Sequence, residues 1–198
     1  MPKCLPSASA KICEAEPVVG YMAAFLLTSG DRGGERELYN VEHLLELWDE
    51  IHRRVPRAQL WLLGKAGPGL RARVAGRDDI VCFGHVPRDE MLTYVANFDV
   101  ALYPRAADQG IQAAKVADYL GGGAPIVSYD YEVVSELRGT GAALLVPDAR
   151  EFVEAVVRLL EDDGERGALR EAARRLGRER DWDELGRRYG EILDRYLS

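Results

Sequence analysis

The chain has 198 residues, of which 47% are hydrophobic and 30% are charged, and its formal net charge is -7. This length suits one domain with a single core, and no apolar run is long enough to cross a bilayer. The acidic balance disfavours a protein that must neutralise many phosphates, so we expect no nucleic-acid partner.

The first 16 residues (MPKCLPSASAKICEAE) are expected to form a linker or an edge segment. They lack the continuous apolar stretch of a signal peptide, which favours a cytoplasmic location. The three cysteines, Cys4, Cys13 and Cys82, form no C-x-x-C pair, which argues against a disulfide framework and against a zinc site. Cys82 lies in an apolar run (IVCF), and we expect it to pack in the core.

Residues 17–198 are expected to form one domain. Its predicted strands, in chain order, are PVVGYM, AQLWLLG, DIVCFG, DVALYP, PIVSY and AALLVP. Helices are predicted between them, and the helix NVEHLLELWDEIHRRV places Val41, Leu44, Leu45, Trp48 and Ile51 on one face. Because near-continuous apolar strands that alternate with helices require a parallel sheet covered on both faces, the pattern predicts a doubly wound, Rossmann-like α/β fold.

From about Ala149 onward the pattern is purely helical, in the segments REFVEAVVRLLED, ERGALREAARRLGRERD and WDELGRRYGEILDRYLS. We expect these helices to close the domain. Their arginines alternate with acidic residues, which favours a solvated helix face over an RNA-binding one.

Ligands of such a fold bind beyond the carboxyl ends of the strands, where successive loops converge on a crevice. The predicted loops on that edge are residues 23–39, 64–69, 84–87 and 104–112. The last loop leads into a helix whose first turn carries small residues, among them Ala113 and Ala114. Open N–H groups and the helix dipole make such an end a site for a diphosphate, with Gly110 and Gln112 beside it.

Lys115 and Asp118 follow on the same helix. A carboxylate placed there can accept hydrogen bonds from a ribose diol. On spacing alone, an exposed helical ion pair between the two side chains is an equal alternative.

The segment KVADYLGGGAPIV resembles the K-x-x-E/D-Y-x-x-x-G-x-P-[IV] signature of the group 1, or family 4, retaining glycosyltransferases of GT-B fold. The segments DIVCFGHVPRDEM and FDVALYP are also similar to that family, and the resemblance covers the chain from about Pro17 to the end. It implies the donor-binding half of an enzyme that transfers a sugar from a nucleoside diphosphate sugar to an acceptor hydroxyl, with retention. No cofactor is then required, and no spaced set of His, Asp or Glu indicates a bound metal.

In that family two glutamates seven residues apart contact the donor, and the second of them, at the ribose, corresponds to Asp118. The first corresponds to Gly110, which has no side chain. Asp108 is the candidate substitute for the contact to the transferred sugar, and capping of its loop is the alternative role.

The family also presents an arginine after the first strand and a lysine at the start of the next helix, both for the diphosphate. Ala24 and Tyr39 stand at the nearest positions of this chain. Arg32 and Arg36, in the loop TSGDRGGERE, are candidate replacements, although loop arginines among acidic residues are commonly only solvated.

Two further residues are candidates on position. Lys65, just after the second predicted strand, is a candidate cation, with phosphate contact and solvent exposure as equal alternatives. His85, in the loop FGHVP, corresponds to the place where the family reads the nucleobase, largely through backbone groups.

GT-B enzymes have two such domains, and this chain corresponds to the second. We therefore expect a missing N-terminal domain to bind the acceptor, which is a glycan, a lipid or a small molecule. Peripheral membrane association through that domain is an open alternative. The chain alone is expected to bind nucleotide weakly and to be inactive. A non-catalytic nucleotide-binding module is the alternative that Gly110, Ala24 and Tyr39 favour. A dinucleotide-dependent oxidoreductase is disfavoured because no G-x-G-x-x-G follows PVVGYM.

Overall fold

All six predicted strands form, and they lie side by side in one parallel sheet. The computed structural model describes residues 16–32, 41–105 and 114–197 of the chain. Within these ranges the strands are β1 (Val18–Leu26), β2 (Gln59–Ala66), β3 (Ile80–Gly84), β4 (Val100–Tyr103), β5 (Ile126–Tyr129) and β6 (Ala143–Val146). Their order across the sheet is β3-β2-β1-β4-β5-β6, and every neighbouring pair is parallel.

The α-helices of the described residues connect the strands and close the domain. They are α1 (Val41–Arg54), α2 (Pro68–Val74), α3 (Arg88–Val95), α4 (Ala114–Gly122), α5 (Ala149–Glu161), α6 (Asp163–Glu179) and α7 (Trp182–Leu197). Every residue of the apolar face predicted for α1 is buried, which confirms that face. Asp148 and Asp162 cap α5 and α6, each accepting a hydrogen bond from a backbone N–H of the first turn.

Helices on both faces of the sheet create two separate cores. One core lies beneath α1 and α5 and contains Trp48 and Phe152, and the other lies beneath α3, α4 and α6 and contains Phe98 and Tyr119. Strands that are buried on both faces must be apolar throughout, which is why DVALYP and PIVSY carry hydrophobic residues without alternation. The predicted doubly wound fold is thereby confirmed.

The first two strands are longer than predicted. β1 does not end at Met22 but continues to Leu26, across a register shift between Met22 and Phe25 opposite β2. Ala24 therefore lies in the strand and not in the following loop. β2 likewise extends to Ala66, which places Lys65 within the strand and not after it.

Cys82 is also misplaced by the sequence pattern. It lies on β3, and its side chain is exposed instead of packed in the core. The reason is the position of β3 at the edge of the sheet, where an apolar strand is covered less completely than a central one.

The strand order reverses between β1 and β4, and the carboxyl ends of these strands separate. Their pairing includes Gly20 with Ala101. The next rung of the parallel ladder would join the Met22 N–H to the Leu102 carbonyl. Instead, the Tyr119 phenol of α4 stands between them, accepting from the Met22 N–H at 3.2 Å and donating to the Leu102 carbonyl at 3.2 Å. The phenol satisfies both backbone groups while it holds the two strand ends apart.

Candidate functional site

The amino end of α4 lies at the crevice between β1 and β4, as the sequence predicts. Ala114, the first residue of the helix, is exposed, and Lys115 is half-buried. The Lys115 Nζ lies 3.3 Å from the Tyr21 hydroxyl, 4.3 Å from the centre of the Tyr21 ring and 5.7 Å from the centre of the Tyr103 ring. Aromatic faces attract an ammonium group at these distances. Because Tyr21 belongs to β1 and Tyr103 to β4, Lys115 places a positive charge where the two strands diverge.

Asp118 lies in the second turn of α4 and is only 9% exposed. Its carboxylate oxygens accept from the guanidinium of Arg88, the first residue of α3, at 3.3 Å and 3.0 Å. Burial raises the pKa of the Asp118 carboxyl, and the charge of Arg88 opposes that rise. The alternative of an exposed helical pair with Lys115 does not describe this buried carboxylate.

Arg88 differs from Asp118 in exposure, because 82% of its side chain is accessible to solvent. An arginine with so little packing can move away from the carboxylate without disturbing the core. The Asp118 carboxylate can then exchange this hydrogen-bond donor for the hydroxyls of a ligand.

Arg105 is a cation of this region that the sequence analysis missed. It follows β4 by two residues, is only 8% exposed, and donates from a guanidinium nitrogen to the Tyr103 hydroxyl at 3.2 Å. The hydroxyl of Tyr103 thus binds one cation while its ring lies near another, Lys115. The signal that could have identified Arg105 is its position in YPR, since a charged residue directly after a buried strand end lies at the ligand-binding edge of this fold.

Hydrogen bonds to the carboxylate of Asp31 fix the loop after β1. Ser29–Arg32 form a 3-10 helix, in which the Asp31 carboxylate accepts from the Gly69 N–H at 2.7 Å and from the Thr28 N–H at 2.8 Å. These backbone hydrogen bonds lower the pKa of Asp31. A carboxylate therefore occupies the amino end of α2. It lies next to the loop in which the family that the sequence resembles has cations for the diphosphate.

Glycines allow this close approach of the first loop to the second. A Cβ at Gly69 would lie 2.2 Å from the Thr28 hydroxyl oxygen, and one at Gly67 would lie 2.5 Å from an Asp31 carboxylate oxygen. Neither distance is compatible with a side chain. The glycines of GKAGPG thus have a packing role, whatever their distance from a ligand.

Lys65 and His85 are both exposed. Lys65 extends from the carboxyl end of β2, opposite Phe25 of β1 in the register. His85 follows Gly84, whose φ of +75° turns the chain sharply at the end of β3. Both residues lie at the carboxyl edge of the sheet, as predicted, and their roles stay predictions.

Five of the predicted site residues lie outside the described residues, namely Arg36, Asp108, Gly110, Gln112 and Ala113. Arg32 ends the 3-10 helix of the first loop, and its side chain lies outside the described part as well. The hypotheses about the transferred sugar and the first-loop cations therefore stay predictions.

No helix in the described ranges is both long and apolar enough to cross a bilayer. Among the side chains that the structure describes, no group of three or more His, Cys, Asp or Glu residues is arranged to hold a metal ion.

The family model described as "Glycosyl transferases group 1" matches residues 26–162, which is more than half of the chain. The match includes β2 to β6, the first loop and the whole of α4. No curated protein sequence matches the chain at a significant level.

Solved structures of glycosyltransferases are similar to the chain in fold. The pneumococcal O-GlcNAc transferase GtfA, in complex with UDP and GlcNAc, aligns with a TM-score of 0.69 at 13% identity over 93% of this chain and 37% of its own. WaaG, a glycosyltransferase involved in lipopolysaccharide biosynthesis, aligns with a TM-score of 0.69 at 15% identity over 91% of this chain and 48% of its own.

A third structure is similar over most of its own length. It is the C-terminal domain of a group 1 glycosyl transferase, LpcC, from Francisella tularensis, with a TM-score of 0.64 at 12% identity over 83% of this chain and 85% of that one. At such identities the likeness concerns the fold alone. The chain spans less than half of GtfA and WaaG but most of the LpcC domain.

Proposed function

The chain belongs to the group 1 glycosyl transferases, and from this premise we propose that it is the donor-binding half of an enzyme with a GT-B fold. The enzyme would transfer a sugar from a nucleoside diphosphate sugar to an acceptor hydroxyl, with retention of configuration. The match to the family over residues 26–162 supports the reaction class. The UDP in the GtfA complex supports a nucleoside diphosphate as the leaving group.

The observation that carries this proposal is the buried carboxylate of Asp118 at the strand crevice. A carboxylate that is 9% exposed, with a pKa raised by burial, is costly to maintain for stability alone. A ribose diol would repay that cost by donating two hydrogen bonds to the carboxylate oxygens. Asp118 is therefore the proposed ribose contact.

The positive end of α4 and the ammonium of Lys115 are the proposed contacts to the diphosphate. As the bond between the sugar and the diphosphate breaks, the bridging oxygen gains negative charge, and fixed positive groups stabilise that charge. Lys115 is well suited because Tyr21 and Tyr103 hold its Nζ in position before the ligand arrives. Retention and the identity of the sugar depend on groups beyond these contacts.

The acceptor site is proposed to lie on a separate half of the enzyme. The chain covers 37% of GtfA and 48% of WaaG, so the rest of each of those proteins has no counterpart in it. We propose that residues 17–198 form the donor domain, that residues 1–16 connect it to the acceptor half, and that the donor domain alone binds nucleotide without turnover. A cytoplasmic location stays part of this proposal.

The test is calorimetric titration of the chain with nucleoside diphosphates that differ in the base. We expect one of them to bind, and we expect Asp118→Ala to weaken its binding because the ribose contact is lost. Asp49→Ala is the matched control, since Asp49 is an exposed carboxylate on α1 that is paired with Arg77. Unchanged affinity in Asp118→Ala would remove Asp118 from the site, and no binding of any nucleotide would refute the donor domain.

A non-catalytic nucleotide-binding module of the same fold is the second candidate. The bonding of Asp31 to the amino end of α2 favours it, because the first loop presents a carboxylate near the position where the family presents cations. Donor hydrolysis by the complete enzyme, with its acceptor half, distinguishes the two. Hydrolysis at a rate above the uncatalysed background would exclude the non-catalytic module.

A further inference from the structure

We propose that Arg105 is a diphosphate-binding residue, so that the edge of β4 supplies positive charge to the crevice. This inference rests on the proposed function, because it assumes that a nucleoside diphosphate occupies the crevice between β1 and β4. It assigns a role to a residue outside the signature segment KVADYLGGGAP.

The position of Arg105 is the first argument. Ligands in a doubly wound sheet bind at the reversal of strand order, beyond the carboxyl ends of the strands on either side. Those strands are β1 and β4 here, and Arg105 lies two residues past the end of β4.

The second argument is the grouping of two cations around one aromatic residue. Arg105 donates to the Tyr103 hydroxyl at 3.2 Å, and the Lys115 Nζ lies 5.7 Å from the centre of the Tyr103 ring. Tyr103 thus joins two cationic side chains in one cluster at the edge of β4. A diphosphate in the crevice would be attracted by both positive charges.

The third argument is the chemistry of the guanidinium group. An arginine stays charged at any ordinary pH, and its planar fork binds two phosphate oxygens at once. Arg105 is only 8% exposed, so its side chain is already fixed and loses little conformational freedom when a ligand binds. A buried arginine is therefore better prepared for this contact than the exposed Lys65.

Two described residues near the first loop support a cation on β4. Ala24, at the nearest position to the family's arginine, lies within β1, and Asp31 occupies the amino end of α2. Ala24 thus brings no charge to the edge of the sheet, and the Asp31 carboxylate brings a negative one. Cations on the neighbouring strand β4 would reach the same ligand from the other side of the crevice.

The experiment separates the phosphates from the rest of the ligand. The chain is titrated by calorimetry with the nucleoside, the nucleoside monophosphate and the nucleoside diphosphate of the preferred base. We expect Arg105→Gln to bind the nucleoside as the parent does and to lose about 10- to 100-fold in affinity for the diphosphate, the range for hydrogen bonds to a charged group. Arg105→Lys, which keeps the charge but not the fork, should lie between the two. Arg158→Gln is the control, because it removes one exposed positive charge on α5, far from the carboxyl edge.

Each outcome decides between the two proposals. If Arg105→Gln and Arg105→Lys both bind the diphosphate as tightly as the parent, Arg105 has no phosphate role and the donor domain stands. If both variants lose nucleoside and diphosphate affinity equally, Arg105 only supports the fold and the inference is wrong. If the parent binds no nucleotide, both the inference and the proposed function fail.

Discussion

Replacing Tyr119 with Phe removes one hydroxyl and tests how the crevice is held open. The Tyr119 hydroxyl accepts from the Met22 N–H and donates to the Leu102 carbonyl, each at 3.2 Å, and the side chain is fully buried. Burial raises the pKa of the phenol far above its ordinary value, so the hydroxyl keeps the proton that it donates. In the Tyr119→Phe variant, both backbone groups lose their partner in a place that water does not reach.

The magnitude follows from those two bonds. A buried polar group that is left without a partner costs about 1 to 3 kcal/mol, so the two together give an expected loss of about 2 to 6 kcal/mol in the free energy of unfolding. The ring itself is retained, and the lost volume is that of a single oxygen atom. Cavity formation therefore adds little to the loss.

Urea unfolding followed by far-ultraviolet circular dichroism measures the effect. Tyr189→Phe is the matched control, because Tyr189 is 67% exposed on α7, and we expect that substitution to change the free energy of unfolding by less than about 0.5 kcal/mol. A loss in Tyr119→Phe no larger than the control would mean that β1 and β4 close to form the direct rung. That result would refute the argument that the phenol holds the strand ends apart.

Three further predictions concern charge and packing. Burial raises the pKa of Asp118, so ionisation of its carboxyl lowers the stability of the fold as the pH rises from the ordinary pKa through the raised one. Asp118→Asn should therefore keep or raise the melting temperature at neutral pH while nucleotide affinity falls. A large drop in melting temperature would contradict this. Hydrogen bonds from Arg77 lower the pKa of Asp79 from 3.8 to about 2, so the ionised carboxylate contributes about 2 kcal/mol of stability at pH values above its ordinary pKa. Asp79→Asn should remove this contribution at neutral pH. In a pH series of unfolding measurements, the variant should match the parent below about pH 2. Gly177→Ala would place a Cβ 2.5 Å from the Leu120 carbonyl oxygen, and thermal unfolding should show a loss of about 1 to 3 kcal/mol in the free energy of unfolding. Gly186→Ala is the control, because its Cβ would have no atom within 4 Å, and it should be neutral or stabilising.

The order of the elements could be predicted from the sequence because each strand is an uninterrupted apolar run between helical patterns. The ends of the strands could not. β1 continues past Met22 through a register shift, where the apolar run goes on to Leu27 but its two alanines have a low preference for strands. The exposure of Cys82 depends on β3 being the edge strand, and strand order is a property of the assembled sheet, not of the segment IVCF.

Part of the candidate site could also be predicted, and whether a residue could be predicted depends on whether a local motif or a tertiary contact places it. Asp118 and Lys115 lie on one helix, so a local motif places both of them near the crevice. Arg105 is identified by its hydrogen bond to Tyr103 and by its burial, and only the folded sheet creates both. The contact of Asp31 with the Gly69 N–H joins residues 38 positions apart, which no local pattern indicates.

The two edges of the crevice explain how cations outside the first loop could hold a diphosphate. β1 and β4 are neighbours in the sheet, so a phosphate between their carboxyl ends is reached equally well from either strand. Lys115 already contacts Tyr21 of β1 and lies near Tyr103 of β4, so its charge serves both edges. In the proposal Arg105 adds a second positive charge beside Tyr103, while Asp31 of the first loop binds the amino end of α2. The decisive comparison is between the Arg105 variants and the parent, because a loss of diphosphate affinity with unchanged nucleoside affinity is the result expected of a phosphate contact on β4.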